Sequence, residues 1–261
     1  MNVLEFAKKK ITKEKIVILT CYDYCTAKIL NNSLLDALLI GDSLAMTMHG
    51  FKDTVMATMT MMELHTAAVC RGAPSKFIIS DLPFLSYRQS LSRSIMATQK
   101  LIQAGAQAVK LEGAAGNLSL ITHLVESGIP VMGHIGLTPQ FIHGLGGYKV
   151  QGKTSAQAEQ LKQDALALEQ AGCFAIVLEC VPSQLAKEIT NSLKIATIGI
   201  GAGAETDGQV LVLQDLLGLN LDFKPKFVNQ FLNGNQLIRE AVDHYSHSVK
   251  HKEFPSYENS Y

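Results

Sequence analysis

The sequence predicts an α/β fold, a (β/α)8 (TIM) barrel with an N-terminal helix and C-terminal helices, and three observations carry that expectation. The chain has 261 residues, close to the roughly 250 of a single barrel of this kind, so one domain over 1–261 is expected. Short apolar runs rich in β-formers recur between helical stretches, the pattern of strands buried on both faces of a parallel sheet. Five of these runs end in a residue able to do chemistry: Gly41-Asp42-Ser43, Ser80-Asp81, Lys110-Leu111-Glu112, Gly133-His134 and Leu178-Glu179. In a closed parallel barrel the carboxyl ends of all strands meet on one face, where active sites sit. Residues far apart in sequence would then share one pocket, which reads as an enzyme. An open doubly wound sheet is the runner-up.

Taken in order, 3–11 reads as a short amphipathic helix that would plug the barrel floor. Strands are predicted at 16–20, 37–40, 77–80, 108–111, 131–133, 175–178, 196–200 and 209–213. Helices are predicted near 26–31, 61–71, 91–104, 118–127, 155–171 and 183–193, with a terminal helix at 229–245 and a fraying polar tail after Ser246. Gly105, Gly128 and Gly172 each stand between a helix and the next strand, where a left-handed residue commonly ends the helix. About twenty residues, including 144–152, separate the fifth strand from its helix. Connections of that length often serve as lids or binding loops, so this one is expected to face substrate; a packed surface loop is the alternative.

Composition excludes several classes. Hydrophobic residues make up 47% of the chain, and 23 Lys+Arg balance 23 Asp+Glu. Without a basic stripe, neither nucleic acid nor a membrane surface is an expected partner. No apolar run approaches a membrane span, and the start lacks the order of a signal peptide, so a cytoplasmic protein is expected. The five cysteines, Cys21, Cys25, Cys70, Cys173 and Cys180, include no C-x-x-C pair and read as buried reduced thiols.

Lys110 and Glu112 are two apart on one predicted strand and would share a face, as a site or as a structural ion pair. Asp42 and Asp81 add carboxyls from two other strands. Crowded acids repel unless compensated. A divalent cation with oxygen ligands, Mg²⁺ or a close relative, would compensate them, although each Asp alone could simply cap the helix after its strand. Glu179 lies among apolar neighbours and suits a general base; its alternative is an ion pair with Lys110. His134 could donate to a substrate oxygen or serve structurally. The run Gly199–Gly203 lacks the G-x-G-x-x-G spacing and reads as a tight turn. Residue types alone therefore reach a metal-assisted proton abstraction or carbon–carbon bond reaction on a small oxyacid.

At these residues the chain resembles the ketopantoate hydroxymethyltransferase family. The matching stretches run in order from Thr20-Cys21-Tyr22-Asp23-Tyr24 through Gly41-Asp42-Ser43-Leu44, His65-Thr66-Ala67-Ala68-Val69, Asp81-Leu82-Pro83-Phe84 and Val109-Lys110-Leu111-Glu112-Gly113. They continue in His134-Ile135-Gly136-Leu137-Thr138-Pro139-Gln140, Gly146-Gly147-Tyr148-Lys149-Val150-Gln151-Gly152 and Leu178-Glu179-Cys180-Val181-Pro182. The resemblance implies a (β/α)8 barrel that binds Mg²⁺ and 3-methyl-2-oxobutanoate and takes a one-carbon unit from 5,10-methylenetetrahydrofolate as co-substrate, giving 2-dehydropantoate in pantothenate biosynthesis. It implies Asp42, Asp81 and Glu112 as metal ligands, and Asp42, Ser43, Asp81, Lys110 and His134 as the oxo-acid site. Glu179 matches the proton acceptor, and the family's cyclic assemblies imply a homo-oligomer, a decamer. The loop at 48–56 departs from the family pattern, which tends to carry Leu-Pro after the Thr, so the folate side is the less defined one.

Three rivals follow from the same residues. A Schiff-base aldolase using Lys110 is disfavoured because adjacent acids keep a lysine protonated. A carbon–carbon lyase of the isocitrate lyase or phosphoenolpyruvate mutase type would carry a Lys-Cys-Gly-His segment, absent here. An inactive structural barrel would have no reason to hold every matched site residue.

Overall fold

A computed structural model describes residues 1–221 and 224–261. The chain divides into two compact units, 1–212 and 213–261.

The first unit is a closed barrel of eight parallel strands in sequence order: β1 (Ile16–Thr20), β2 (Ala37–Ile40), β3 (Phe77–Asp81), β4 (Ala108–Lys110), β5 (Val131–Gly136), β6 (Ala175–Glu179), β7 (Ala196–Ile200) and β8 (Gly208–Leu211). Closure leaves no unpaired edge, and most strand residues are buried. The register sets Asp81 beside Lys110 and Gly136 beside Glu179, so strand ends reach similar heights. Helices Tyr24–Asn31, Met59–Gly72, Leu91–Gln103, Leu118–Glu126, Ser155–Gln170 and Ser183–Ser192 fill the successive crossovers. Gly105, Gly128 and Gly172 have φ of 112°, 84° and 99°, the left-handed terminators the sequence suggests.

Helix Val3–Thr12 closes the amino-terminal end of the barrel. Asn2 caps it through bonds from the Leu4 and Glu5 amides. Its Phe6 is fully buried, with its ring centroid 5.7 Å from Phe77 and 5.1 Å from Phe174. Lys10 Nζ reaches Asp207 at 2.7 Å and Lys9 Nζ reaches Asp36 at 2.7 Å, which pins the helix to loops entering β8 and β2.

The second unit contains the short helix Leu213–Leu216 and the longer Gly234–Lys250. The terminal helix therefore begins five residues later than expected and continues beyond Ser246 instead of fraying. Amides of Phe231 and Gly234 bond to the Leu216 and Leu217 carbonyls, which holds 231–234 out of helical geometry. Further short turns escape the sequence reading: Leu44–Thr47, Thr54–Met56, Pro139–Phe141, Ile142–Leu145 and Tyr257–Asn259. Two of them structure the long connection after β5.

β5 extends three residues past its expected end, through His134, and β4 stops at Lys110. Glu112 consequently stands beyond its strand, and its alternation with Lys110 is not that of one regular strand. All five cysteines are free thiols. Cys21 and Cys173 are buried, Cys70 and Cys180 half-buried, and Cys25, contrary to expectation, is exposed. No described helix is long and apolar enough to cross a membrane.

Candidate active site

The carboxyl ends of β2 to β6 surround a cavity of about 100 Å³, and every candidate site residue read from the sequence lines it: Asp42, Ser43, Asp81, Lys110, Glu112, His134 and Glu179. Each arrives there because the apolar strand before it is locked into the barrel. Leu39, Val177, Ile200 and Val210 add apolar surface to the lining.

Lys110, buried at 4% exposure, is the hub. Its Nζ lies 3.1 Å from Asp81 Oδ1 and 3.4 Å from His134 Nδ1. His134 spans two acids, with Nδ1 3.4 Å from Glu112 Oε1 and Nε2 3.2 Å from Glu179 Oε2. The alternative pairing of Glu179 with Lys110 is thus not the one formed. Asp81 Oδ2 accepts from the Asp42 amide at 3.1 Å, which ties the end of β3 to the residues after β2. Neither Asp caps the helix that follows it: Asp42 Oδ2 instead accepts from Gln140 Nε2 at 2.8 Å.

Burial and charge set the protonation states. Burial first, then the neighbouring charges of Asp81 and Glu112, push the Asp42 carboxyl well above its usual range. Burial also raises Asp81, despite Lys110. Burial opposes the charge on Lys110, but Asp81, Glu112 and Asp42 outweigh it and raise the ammonium. Burial and the nearby Lys110 disfavour an imidazolium at His134, yet the adjacent Glu112 and Glu179 carboxylates lift it to about 9. His134 is thus held between two acids, with the Lys110 ammonium beside its Nδ1.

The sequence reading missed the residues that brace this cluster. Gln140 is buried on the turn Pro139–Phe141. Its amide donates to Glu112 Oε2 at 3.0 Å, its side chain donates to Asp42 and to the Leu82 carbonyl, and its Oε1 accepts from Tyr87 Oη at 2.7 Å. Tyr22 Oη and Ser43 Oγ share a 2.7 Å hydrogen bond. Gln140 closes the matching run 134–140 and Tyr22 lies in 20–24, but nothing in their residue types distinguishes them. The long connection after β5 reaches across the mouth: the Gln151 amide bonds the Cys180 carbonyl at 2.9 Å and Tyr148 Oη approaches Met46 Sδ at 3.7 Å.

Known proteins share this sequence along its length. The family model for ketopantoate hydroxymethyltransferase matches residues 1–257. The 3-methyl-2-oxobutanoate hydroxymethyltransferase of Francisella tularensis subsp. tularensis is 54% identical over 260 residues, covering 100% of this chain and 98% of that one. The enzyme of the same name from Coxiella burnetii is 56% identical over 259 residues, covering 99% and 97%. Among solved structures, 2,3-dimethylmalate lyase, a PEP mutase/isocitrate lyase superfamily member, superposes with a TM-score of 0.62 at 16% identity over 95% of this chain and 88% of its own. That last likeness is one of fold alone; the match in sequence over essentially the whole length shows that the chain belongs to the ketopantoate hydroxymethyltransferase family.

Proposed function

We propose that this protein transfers a one-carbon unit from 5,10-methylenetetrahydrofolate to 3-methyl-2-oxobutanoate, forming 2-dehydropantoate for pantothenate biosynthesis. The observation that carries the reading is the cluster itself: four carboxyls, Asp42, Asp81, Glu112 and Glu179, gathered around Lys110 and His134 at the carboxyl end of the barrel.

The donor set fits the Mg²⁺ that the family resemblance implies. Carboxyls crowded and buried as Asp42 and Asp81 are resist ionisation, and a divalent ion among them would offset the charge that opposes it. Asp81 Oδ1 is buried and has no aligned hydrogen-bond donor, its approach to Lys110 being an ion pair only. Among the described residues no three His, Cys, Asp or Glu side chains form a ready metal cage, so Asp42, Asp81 and Glu112 would hold the ion together with water or substrate oxygens, as Mg²⁺ commonly requires. Bound there, the ion would supply Lewis-acid polarisation of the oxo group.

The remaining work falls to the chain's own residues. Lys110 offsets the carboxylate of the oxo acid, and Ser43, oriented by Tyr22, offers it a hydroxyl. Glu179, whose side chain is 16% exposed and so more open than the other acids, takes the proton from C3, while His134 orients it. Water displaces both C–N bonds of the methylene unit, its two protons passing to the nitrogens of the departing tetrahydrofolate and its oxygen staying on the carbon. The electron pair of the broken C3–H bond forms the new bond to that carbon, and the C3 proton, returned from Glu179, completes the hydroxyl. The apolar surface of Leu39, Val177 and Ile200 accommodates the isopropyl group.

Incubation with 3-methyl-2-oxobutanoate, methylenetetrahydrofolate and Mg²⁺ should yield 2-dehydropantoate, and chelation with EDTA should stop it. Turnover only of 2-methylisocitrate or a phosphonate would replace this reading with the lyase, and borohydride trapping of substrate on Lys110 would replace it with the aldolase. The family resemblance also supports a cytoplasmic homo-oligomer, a decamer, which light scattering on the eluted protein would measure.

A further inference from the structure

Thr54 is an unexplained polar group inside the cavity. It is 2% exposed, it lines the same cavity as the acids, and its Oγ1 is buried without any hydrogen-bond partner. A buried hydroxyl left unpaired is costly, and such groups are few in native proteins. The local structure holds Thr54 in place all the same. Asp53, extended at φ −150°, caps the turn Thr54–Met56 by accepting from the Val55 amide, and the Ala57 amide bonds the Thr54 carbonyl at 3.0 Å. The turn also packs against Pro139–Phe141, the segment that carries Gln140. A hydroxyl on a braced turn that lines a cavity, unsatisfied by protein, is disposed to meet a ligand.

The chemistry of the cavity narrows which ligand atom that is. The carboxylate and oxo oxygens of the oxo acid have charged partners at the strand ends, Lys110 foremost. Thr54 is neutral and sits on the loop beyond β2, above the strand ends. The reaction adds one neutral oxygen that the oxo acid lacks, that of the hydroxymethyl group, and a hydroxyl can both donate to it and accept from it. We propose that Thr54 Oγ1 is the hydrogen-bond partner of the hydroxymethyl oxygen, a specificity contact for the one-carbon end of the product. This rests on the function proposed above.

The test compares two ligands on three proteins by calorimetry in saturating Mg²⁺: 3-methyl-2-oxobutanoate and 2-dehydropantoate, on the wild type, Thr54→Val and Thr54→Ser. Thr54→Val should bind 2-dehydropantoate about threefold to tenfold more weakly, the weight of one neutral hydrogen bond, with the oxo acid unchanged. Thr54→Ser, which keeps the hydroxyl, should retain both affinities. Ligand-free Thr54→Val should melt no lower than the wild type, because it loses an unpaired hydroxyl and keeps its shape. Equal affinities of wild type and Thr54→Val for the product would overturn the assignment, as would an equal loss for both ligands. A wild type that binds neither ligand would instead overturn the proposed function.

Discussion

The two ends of the barrel are built from the same eight strands and hold opposite chemistry. At the amino end, Phe6 and Phe77 each pack edge to face on Phe174 and tilted on each other, and the charges sit at the rim in ion pairs, such as Lys10 with Asp207 and Lys9 with Asp36 and Glu14. At the carboxyl end, four acids crowd two cations in a pocket where all but Glu179 are buried. Rings at the floor gain burial and edge-to-face contact without any polar cost. Acids at the mouth are held against their own repulsion, which favours function over stability. The floor keeps the barrel folded; the mouth is stable only as far as the floor and strands compel it.

The largest expected difference is in chemistry. Glu179→Gln should lower solvent exchange of the C3 hydrogen of 3-methyl-2-oxobutanoate by on the order of 10²- to 10⁴-fold, the usual loss with a general base. Binding of the oxo acid should persist, because the acids expected to hold the metal are on other strands. Exchange followed by NMR without folate isolates this step, and wild-type rates would move the base elsewhere, with His134 next. Glu112→Gln should instead raise the Mg²⁺ concentration needed for half-maximal rate.

At the floor the same scale of effect should appear in stability. Phe6→Ala removes a fully buried ring and should cost about 3–5 kcal/mol, read as a lower urea midpoint. Activity per folded molecule should be retained. A loss of activity without a loss of stability would mean that the two ends are coupled through the strands, and the division between floor and mouth would fail.

A smaller effect of opposite sign is expected for Asp42→Asn. Asp42 is pressed by burial and by the charges of Asp81 and Glu112, while an amide oxygen can still accept from Gln140. In metal-free buffer the variant should unfold about 1–2 kcal/mol later than the wild type, within the range of single stabilising changes, and it should have lost activity. Added Mg²⁺ should stabilise the wild type more than the variant. A destabilised variant would show that the cluster is already balanced without a cation.

These contrasts are unequally legible in the sequence. The strands of the buried parallel sheet announce themselves as continuous apolar runs, and seven of eight start where the pattern places them, with Gly208 one residue early. Ends are harder wherever chemistry begins. β5 runs on through Gly133, His134 and Gly136 because its partner β6 pairs with it as far as Glu179, and no local property of a Gly-His-Ile-Gly run demands a strand. The seven chemistry-bearing residues are legible because each ends or follows an apolar run. Gln140 and Thr54 are not, since both ride on short turns beyond their strands, and their places depend on how those turns fold. The Cys21 and Cys173 thiols follow the burial habit of their residue type; Cys25, on the first turn of Tyr24–Asn31, faces outward.

The smallest effect reads the two ends on a single strand. Cys173 lies just before β6 on the floor side and Cys180 just after it at the mouth. Burial raises the Cys173 thiol to about 12, whereas burial and then the charge of Glu179 raise Cys180 to about 11. Only the thiolate reacts, and both the deeper burial of Cys173 and its tighter packing favour Cys180, which is half-buried. Peptide mass mapping of native protein treated with iodoacetamide should therefore find exposed Cys25 and then Cys180 modified before Cys173. In urea the order of Cys173 and Cys180 should collapse, because both thiols return to ordinary values once burial is lost. Equal rates in the native protein would mean that the floor opens as readily as the mouth, and the aromatic packing around Phe6 would not be the rigid end of the molecule.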